Sequence, residues 1–344
     1  MVNLAGNDRP SKRQRSDIGN VILEATLNAS LIHSQEYWFI TGDVILQAEH
    51  TQFRVHREVL ARHSTVFSDT FSVPREADDG EVCPVIELSD KVDDIEYMLS
   101  IFYDHSRCVS SHLMHDWAEP MSILHISKLL RTGRKYNIQH FLKEALRRLR
   151  AEHPTTLTGW SRCKNPSRYK LIKPGDKACL VDVVSLAEEY GIPSILPAAY
   201  LRYIHAYSLK DFLLAGSSVA LQSGKARAIC VLGRDSFLNE LQKQRTSWLE
   251  QSFYLPSPGC TGDECGGDQP WLLLEKFKIL QQIRGASTIN ALEPLSDSEV
   301  ETLCPECAHS IRFQHNLVRE AIWSKLPSIF EVGNGWQDLK DFDM

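Results

Sequence analysis

Residues 42–71 read GDVILQAEHTQFRVHREVLARHSTVFSDTF. Val44, Ile45 and Leu46 form a short β-favouring run, and Phe53 and Val55 alternate with Gln52 and Arg54 at the period of a half-buried strand. The polar Glu49, His50 and Thr51 between them predict a hairpin turn. After Val55 the period changes. Val59, Leu60, Val66, Phe67, Thr70 and Phe71 recur at helical spacing, and Ser64 stands where an N-cap would start a second helix. The stretch therefore encodes two strands followed by two helices.

On either side the pattern is simpler. Pro84 to Leu88 predicts a third strand, and Ile95, Met98, Leu99, Phe102 and Tyr103 predict a helix with Asp90 as its cap and Asp93 and Asp94 at its positive end. Pro74 to Gly80 and Asp104 to Glu119 read as loops, and the irregular spacing of His105, His112 and His115 favours solvation over metal binding. Upstream, Val21, Ile22, Leu23, Leu27, Leu31 and Ile32 form an apolar segment that either exchanges with a partner or covers the edge of its own domain.

Asp43, Val44, Phe53, His56, Arg57, Leu60, Ser64 and Phe67 follow one another with the spacing of the BTB/POZ domain, which the chain resembles over residues 34–152. Val55 departs from it, standing where many members carry Ala. Tyr37-Trp38-Phe39, Pro84 to Asp90, Tyr190-Gly191-Ile192-Pro193 and a C-terminal Cys-x-x-Cys are similar to a large fungal branch of that family. The resemblance implies an α+β fold: a BTB/POZ domain with a short three-stranded sheet and helices, followed by a mostly α-helical C-terminal region. It further implies a non-enzymatic protein that meets other proteins through BTB, by self-association as a homodimer or by recruiting a partner, and serves as a scaffold or a substrate adaptor for a cullin-type ubiquitin ligase, or as a nuclear co-regulator dimerising through BTB. Asp43, His56 and Arg57 would lie near a charged groove at the dimer face. The competing reading makes Asp43 an anchor of the hairpin and His56 a hydrogen-bonded core histidine.

Beyond Met121 the pattern is helical. Ile123, Ile126, Leu129 and Leu130 line one helix, and Phe141, Leu142, Ala145, Leu146 and Leu149 line the next. An offset of 54 then matches Leu129 with Val183, Gly133 with Ala187, Tyr136 with Tyr190, Ile138 with Ile192, Leu142 with Leu196 and Arg148 with Arg202. This echo predicts a second hairpin stacked on the first, although two amphipathic hairpins can also look alike without stacking. Thr155 to Lys177, rich in Pro and Lys, reads as a loop. Residues 178–255 read as a helical region, with Leu221 to Leu232 broken by Gly233. Residues 256–332 read as a second such region, with a helix around Leu272 to Ile283 and a final stripe of Leu317, Ala321, Ile322 and Leu326 ended by Pro327.

Two cysteine pairs fall in that last region, Cys260-x4-Cys265 and Cys304-Pro-Glu-Cys307. Four thiolates brought together would form a closed, structural zinc site, with His309 or His315 able to replace one ligand. The alternatives are four reduced thiols and a redox dithiol at Cys304 and Cys307, which would want a strand–helix–strand setting.

Composition sets the outer limits. The 344 residues, 43% hydrophobic, suffice for two or three packed units, and a net charge of -6 argues against direct nucleic-acid binding over the whole surface. The chain lacks an apolar run of the roughly 20 residues that would cross a bilayer and the apolar core of a secretory signal, so the expectation is a cytoplasmic or nuclear protein with no membrane partner. Nine cysteines, an odd number, suit reduced thiols. No phosphate-cradling Gly-rich loop, Gly-x-Ser-x-Gly elbow or His-Glu-x-x-His helix is present, so nothing favours an enzyme. Residues 1–20 read as a disordered tail in which Arg9, Lys12, Arg13 and Arg15 form either an import signal or a plain solvated cluster.

Overall fold

The computed structural model describes residues 31–72, 83–103, 119–163, 170–173, 179–213, 219–250, 256–260, 292–301 and 303–342. The basic cluster of the N-terminal tail, the loops at 74–80 and 105–118, Cys265 and the helix expected at 272–283 lie outside these residues. The chain divides into two units, Met1–Leu113 and Met114–Met344.

In the first unit β2 (Val44–Ala48) and β3 (Thr51–Val55) form the expected antiparallel hairpin, in register from Val44 opposite Val55 to Ala48 opposite Thr51. Val44, Leu46, Ala48, Phe53 and Val55 all point into the core. Glu49 turns the chain with a φ of 51°, and its carboxylate accepts the Val92 amide (3.2 Å) at the start of a later helix. The sheet has one strand more than the three expected. β1 (Ile32–Trp38) runs parallel to β3 and β4 (Val85–Leu88) runs parallel to β2, giving the order β1-β3-β2-β4. Of the N-terminal apolar segment, Ile32 begins the edge strand β1, whereas Val21, Ile22, Leu23 and Leu27 lie outside the described residues.

Helices α1 (Arg57–His63) and α2 (Thr65–Ser72) follow, burying Leu60 and Phe67. Ser64 caps α2 as expected, its hydroxyl oxygen accepting the Phe67 amide at 3.1 Å. Helix α3 (Val92–Tyr103) closes the unit with Ile95, Met98, Leu99 and Phe102 buried and both aspartates in its first turn.

The second unit is helical. Helices α4 (Ile123–Lys135) and α5 (Gln139–Glu152) form one hairpin, and α7 (Cys179–Tyr190) packs on α4 and pairs with α8 (Leu196–Ala206). The offset of 54 is visible in the backbone. Asn137 and Gly191 both take positive φ, 51° and 65°, and Ile138 and Ile192 donate back to Gly133 and Ala187 at 2.8 and 2.9 Å. These are the bonds by which a left-handed residue closes a helix end, and glycine at 191 adopts that conformation without a side-chain clash.

Where a loop was expected after Thr155, residues Leu157–Cys163 form a helix, α6. Thr156 starts it by accepting the Gly159 amide (3.2 Å), and its fully buried Trp160 lies 4.5 Å beneath the Arg202 guanidinium. A single large residue anchors the turn, too little to register as a period.

After the short α9 (Leu209–Leu213), the long α10 (Gly224–Glu250) packs on α11 (Pro305–Ile329). Gly233 does not break α10. A Cβ there would stand 2.5 Å from Cδ1 of buried Phe330, so glycine is the residue that lets the chains approach. Nor does Pro327 end α11, which continues to Ile329. A proline leaves the carbonyl four residues earlier without its helical donor, and Trp336 Nε1–H supplies one to Trp323 O at 2.8 Å. Trp323 packs as expected, stacked on Trp336 (5.2 Å) and donating to Thr155 O. Leu317, placed on the buried stripe by its spacing, is exposed.

Two outcomes follow. Gly233→Ala forces the Phe330 ring aside and should lower stability by about 1–3 kcal/mol in thermal or denaturant unfolding. His153 is fully buried, and burial and then the nearby Arg202 charge push its pKa down to about 3. The unfolded chain protonates this histidine first, so its contribution is complete above about pH 6.5 and is lost as pH falls toward 3, at up to about 1.4 kcal/mol per pH unit. His153→Asn, which retains a donor for Leu149 O, should flatten that acid limb in unfolding measured between pH 4 and 7.

Candidate functional site

The junction between β3 and α1 gathers Asp43, His56 and Arg57. Asp43 donates its amide to Val55 O (3.0 Å) and accepts the Arg57 amide on Oδ1 (2.8 Å), so its carboxylate supplies the first turn of α1 with an acceptor. Its Oδ2 lies 4.0 Å from Arg57 Nε, and the two side chains are 57% and 41% exposed, a separation and exposure at which the ion pair itself contributes little. The Arg57 guanidinium sits 5.9 Å from the centre of the Phe71 ring.

His56 is half-buried and carries a wider network than its spacing suggested. Its backbone amide donates to Tyr103 Oη at 2.9 Å, its Nδ1 lies 3.2 Å from the same oxygen, and its Nε2 lies 3.0 Å from Thr41 Oγ1. Burial, followed by the Asp43 charge, pushes the Tyr103 phenol up against the opposing effect of the His56 amide. The ring of His56 is thus held at both nitrogens, by the Tyr103 hydroxyl on one side and the Thr41 hydroxyl on the other. Phe39 stacks on Tyr103 (4.7 Å) and tilts against His56 (5.4 Å). Tyr103 and Thr41 were not identifiable as site residues, because Tyr103 fits the apolar stripe of its helix and the contact spans 47 positions.

The second constellation is the thiol cluster. Cys260, Cys304 and Cys307 come together with all three sulfurs within 4.8 Å of one another, and Cys260 Sγ lies 3.7 Å from Cys304 Sγ. These three cysteines can coordinate a metal. Cys304 is the N-cap of α11, and Cys307 lies one turn further on, fully buried on Val300, Leu303, Ala308 and Ile311. The Ser257 amide donates to Cys307 Sγ at 3.4 Å, a contact that the spacing of the cysteines did not reveal. Among the described residues neither His309 nor His315 joins the cluster. The Cys-x-x-Cys does open a helix, as a redox dithiol would require, but α11 packs among helices α6, α8 and α10.

Tyr103→Phe removes the acceptor of the His56 amide and the hydrogen bond to Nδ1. It should destabilise the first unit by about 1–3 kcal/mol, read by hydrogen exchange at the α1 amides.

No curated protein matches the chain. Among the described residues no helix is long and apolar enough to cross a membrane. Residues 33–152 match the family model of the BTB/POZ domain, a non-catalytic fold used for protein–protein interaction. The match runs from β1 through the sheet, the Asp43–His56–Arg57 junction and the α4–α5 hairpin, and a BTB/POZ domain is therefore present in this chain.

Proposed function

We propose that this protein is an interaction module whose BTB/POZ domain pairs two copies of the chain while its helical region holds another protein. The observation that carries the proposal is the edge strand β1, which begins with the exposed Ile32 and is flanked in sequence by the exposed Leu31 and Ile40. An edge strand bordered by apolar surface is a template for a further chain, and a two-fold contact uses the same patch on both copies. Asp43 and Arg57 present opposite charges nearby in sequence and at one junction, so in such a contact each can meet its counterpart on the other copy. On α11, Phe313 and Leu317 are both exposed at a four-residue spacing, which supports a separate binding face in the helical region.

The finer role we assign is that of a substrate adaptor for a cullin-type ubiquitin ligase, with BTB docking the cullin and the helical region holding the substrate. A dithiol redox role fits less well, since the buried Cys307 is poorly placed for exchange with a second protein.

Native mass spectrometry of the full chain tests the pairing, with a dimer expected at micromolar concentration. Asp43→Asn keeps an oxygen for the Arg57 amide and removes only the charge. It should weaken the dimer about three- to tenfold, an effect of about 1 kcal/mol that fades in high salt. A monomeric parent protein overturns the proposed pairing, and an unchanged dimer in the variant removes Asp43 from the interface.

A further inference from the structure

We infer that Cys260, Cys304 and Cys307 are ligands of a structural zinc ion that ties the 256–260 turn to the first turn of α11. The geometry carries this. Tetrahedral ligation with Zn–S bonds of about 2.3 Å puts neighbouring sulfurs about 3.8 Å apart. Cys260 and Cys304 stand 3.7 Å apart, and the third sulfur lies within 4.8 Å of both. A disulfide would need about 2 Å. The sulfurs come from two segments that are 44 positions apart, so helix periodicity does not account for their meeting.

The surroundings suit the same ion. The Cys260 amide bonds back to Ser257 O (3.0 Å), which shapes the turn, while the Ser257 amide donates to Cys307 Sγ, the kind of outer contact that orients a thiolate ligand. Val300, Leu303 and Ile311 close the cluster from below. Cys260 and Cys304 are half-buried, and a fourth ligand would complete the tetrahedron on their side of the cluster. Soft thiolates with no carboxylate among them select zinc over magnesium or calcium. The negative charge of the bound thiolates also meets the positive end of a 25-residue helix.

The test uses the full chain purified without chelator. One zinc per chain is expected by elemental mass spectrometry, and replacement by cobalt(II) should give the intense near-ultraviolet charge-transfer and tetrahedral visible bands of thiolate ligation. Cys260→Ser and Cys304→Ser, at half-buried positions that accept a hydroxyl, should each weaken zinc binding about tenfold or more while circular dichroism reports retained helix. A metal-free chain that takes up no cobalt overturns the inference, as does zinc retained at full affinity in both variants. A Cys260–Cys304 disulfide in metal-free protein, mapped without reduction, overturns it too. The cobalt titration of the parent chain decides the matter even if a variant fails to fold.

Discussion

Two guanidinium groups with almost no access to water, those of Arg148 and Arg202, constrain the helical unit. A buried charge must be paired and hydrogen-bonded, and removing its partners costs about 3–5 kcal/mol. Arg148 meets this with Glu144 on its own helix (2.6 Å) and with the carbonyls of Glu119 and Leu171 (2.7 Å each). Arg202 donates to the carbonyls of Glu152 and Cys163 and lies over Trp160. Glu152 in turn accepts the amides of Lys170 and Leu171 at 2.7 Å. The carbonyls and amides used this way belong largely to irregular chain or helix ends, which have no regular partner of their own. The two arginines therefore fix segments that helix packing alone would leave unspecified, and the position they share in the 54-residue echo gives that echo a physical purpose.

How much of this was legible in the sequence depends on how local the cause is. The β2–β3 hairpin and the two helices after it show themselves because the apolar period changes from two to between three and four within thirty residues. Strand β1 hid because its buried residues are Ser34 and Tyr37, three apart, a consequence of the register shift between His33 and Trp38. Helix α6 hid because a single tryptophan anchors it. Gly233 looked like a breaker because the reason for a glycine, the ring of Phe330, lies 97 positions away. The same rule divides the candidate sites: the cysteines stood out by type and spacing and Asp43, His56 and Arg57 through the resemblance to the BTB/POZ domain, whereas Tyr103 and the Ser257 amide enter through contacts that span 47 and 50 positions.

Helix ends show one backbone requirement met by different chemistry. Asn137, Gly191 and Glu331 all take positive φ after a helix, and the next residue in each case donates to a carbonyl five positions back. The first two belong to the recognisable echo. The third shares only the geometry, and a glutamate in the left-handed region costs about 1 kcal/mol or more that its surroundings must offset. The chain beyond it returns to the helix, where the Trp336 indole donates to the carbonyl freed by Pro327 and stacks on Trp323.

Helix α11 is thereby fixed at several points along its length by different means. Near its C-terminal end Trp323 reaches Thr155 O, Lys325 pairs with Glu240 at 2.5 Å, and the tryptophan stack closes over the last turns. In the middle, Arg319 crosses to Leu292 O (2.9 Å) and Ser161 Oγ (3.0 Å). Among the described residues, the N-terminal turn packs on a small apolar cluster and brings Cys304 and Cys307 beside Cys260, at the end where a helix leaves its first amides without helical partners. A cation bound by these thiolates would add one more such cross-link without needing a large core, and would place negative ligands where the helix favours them.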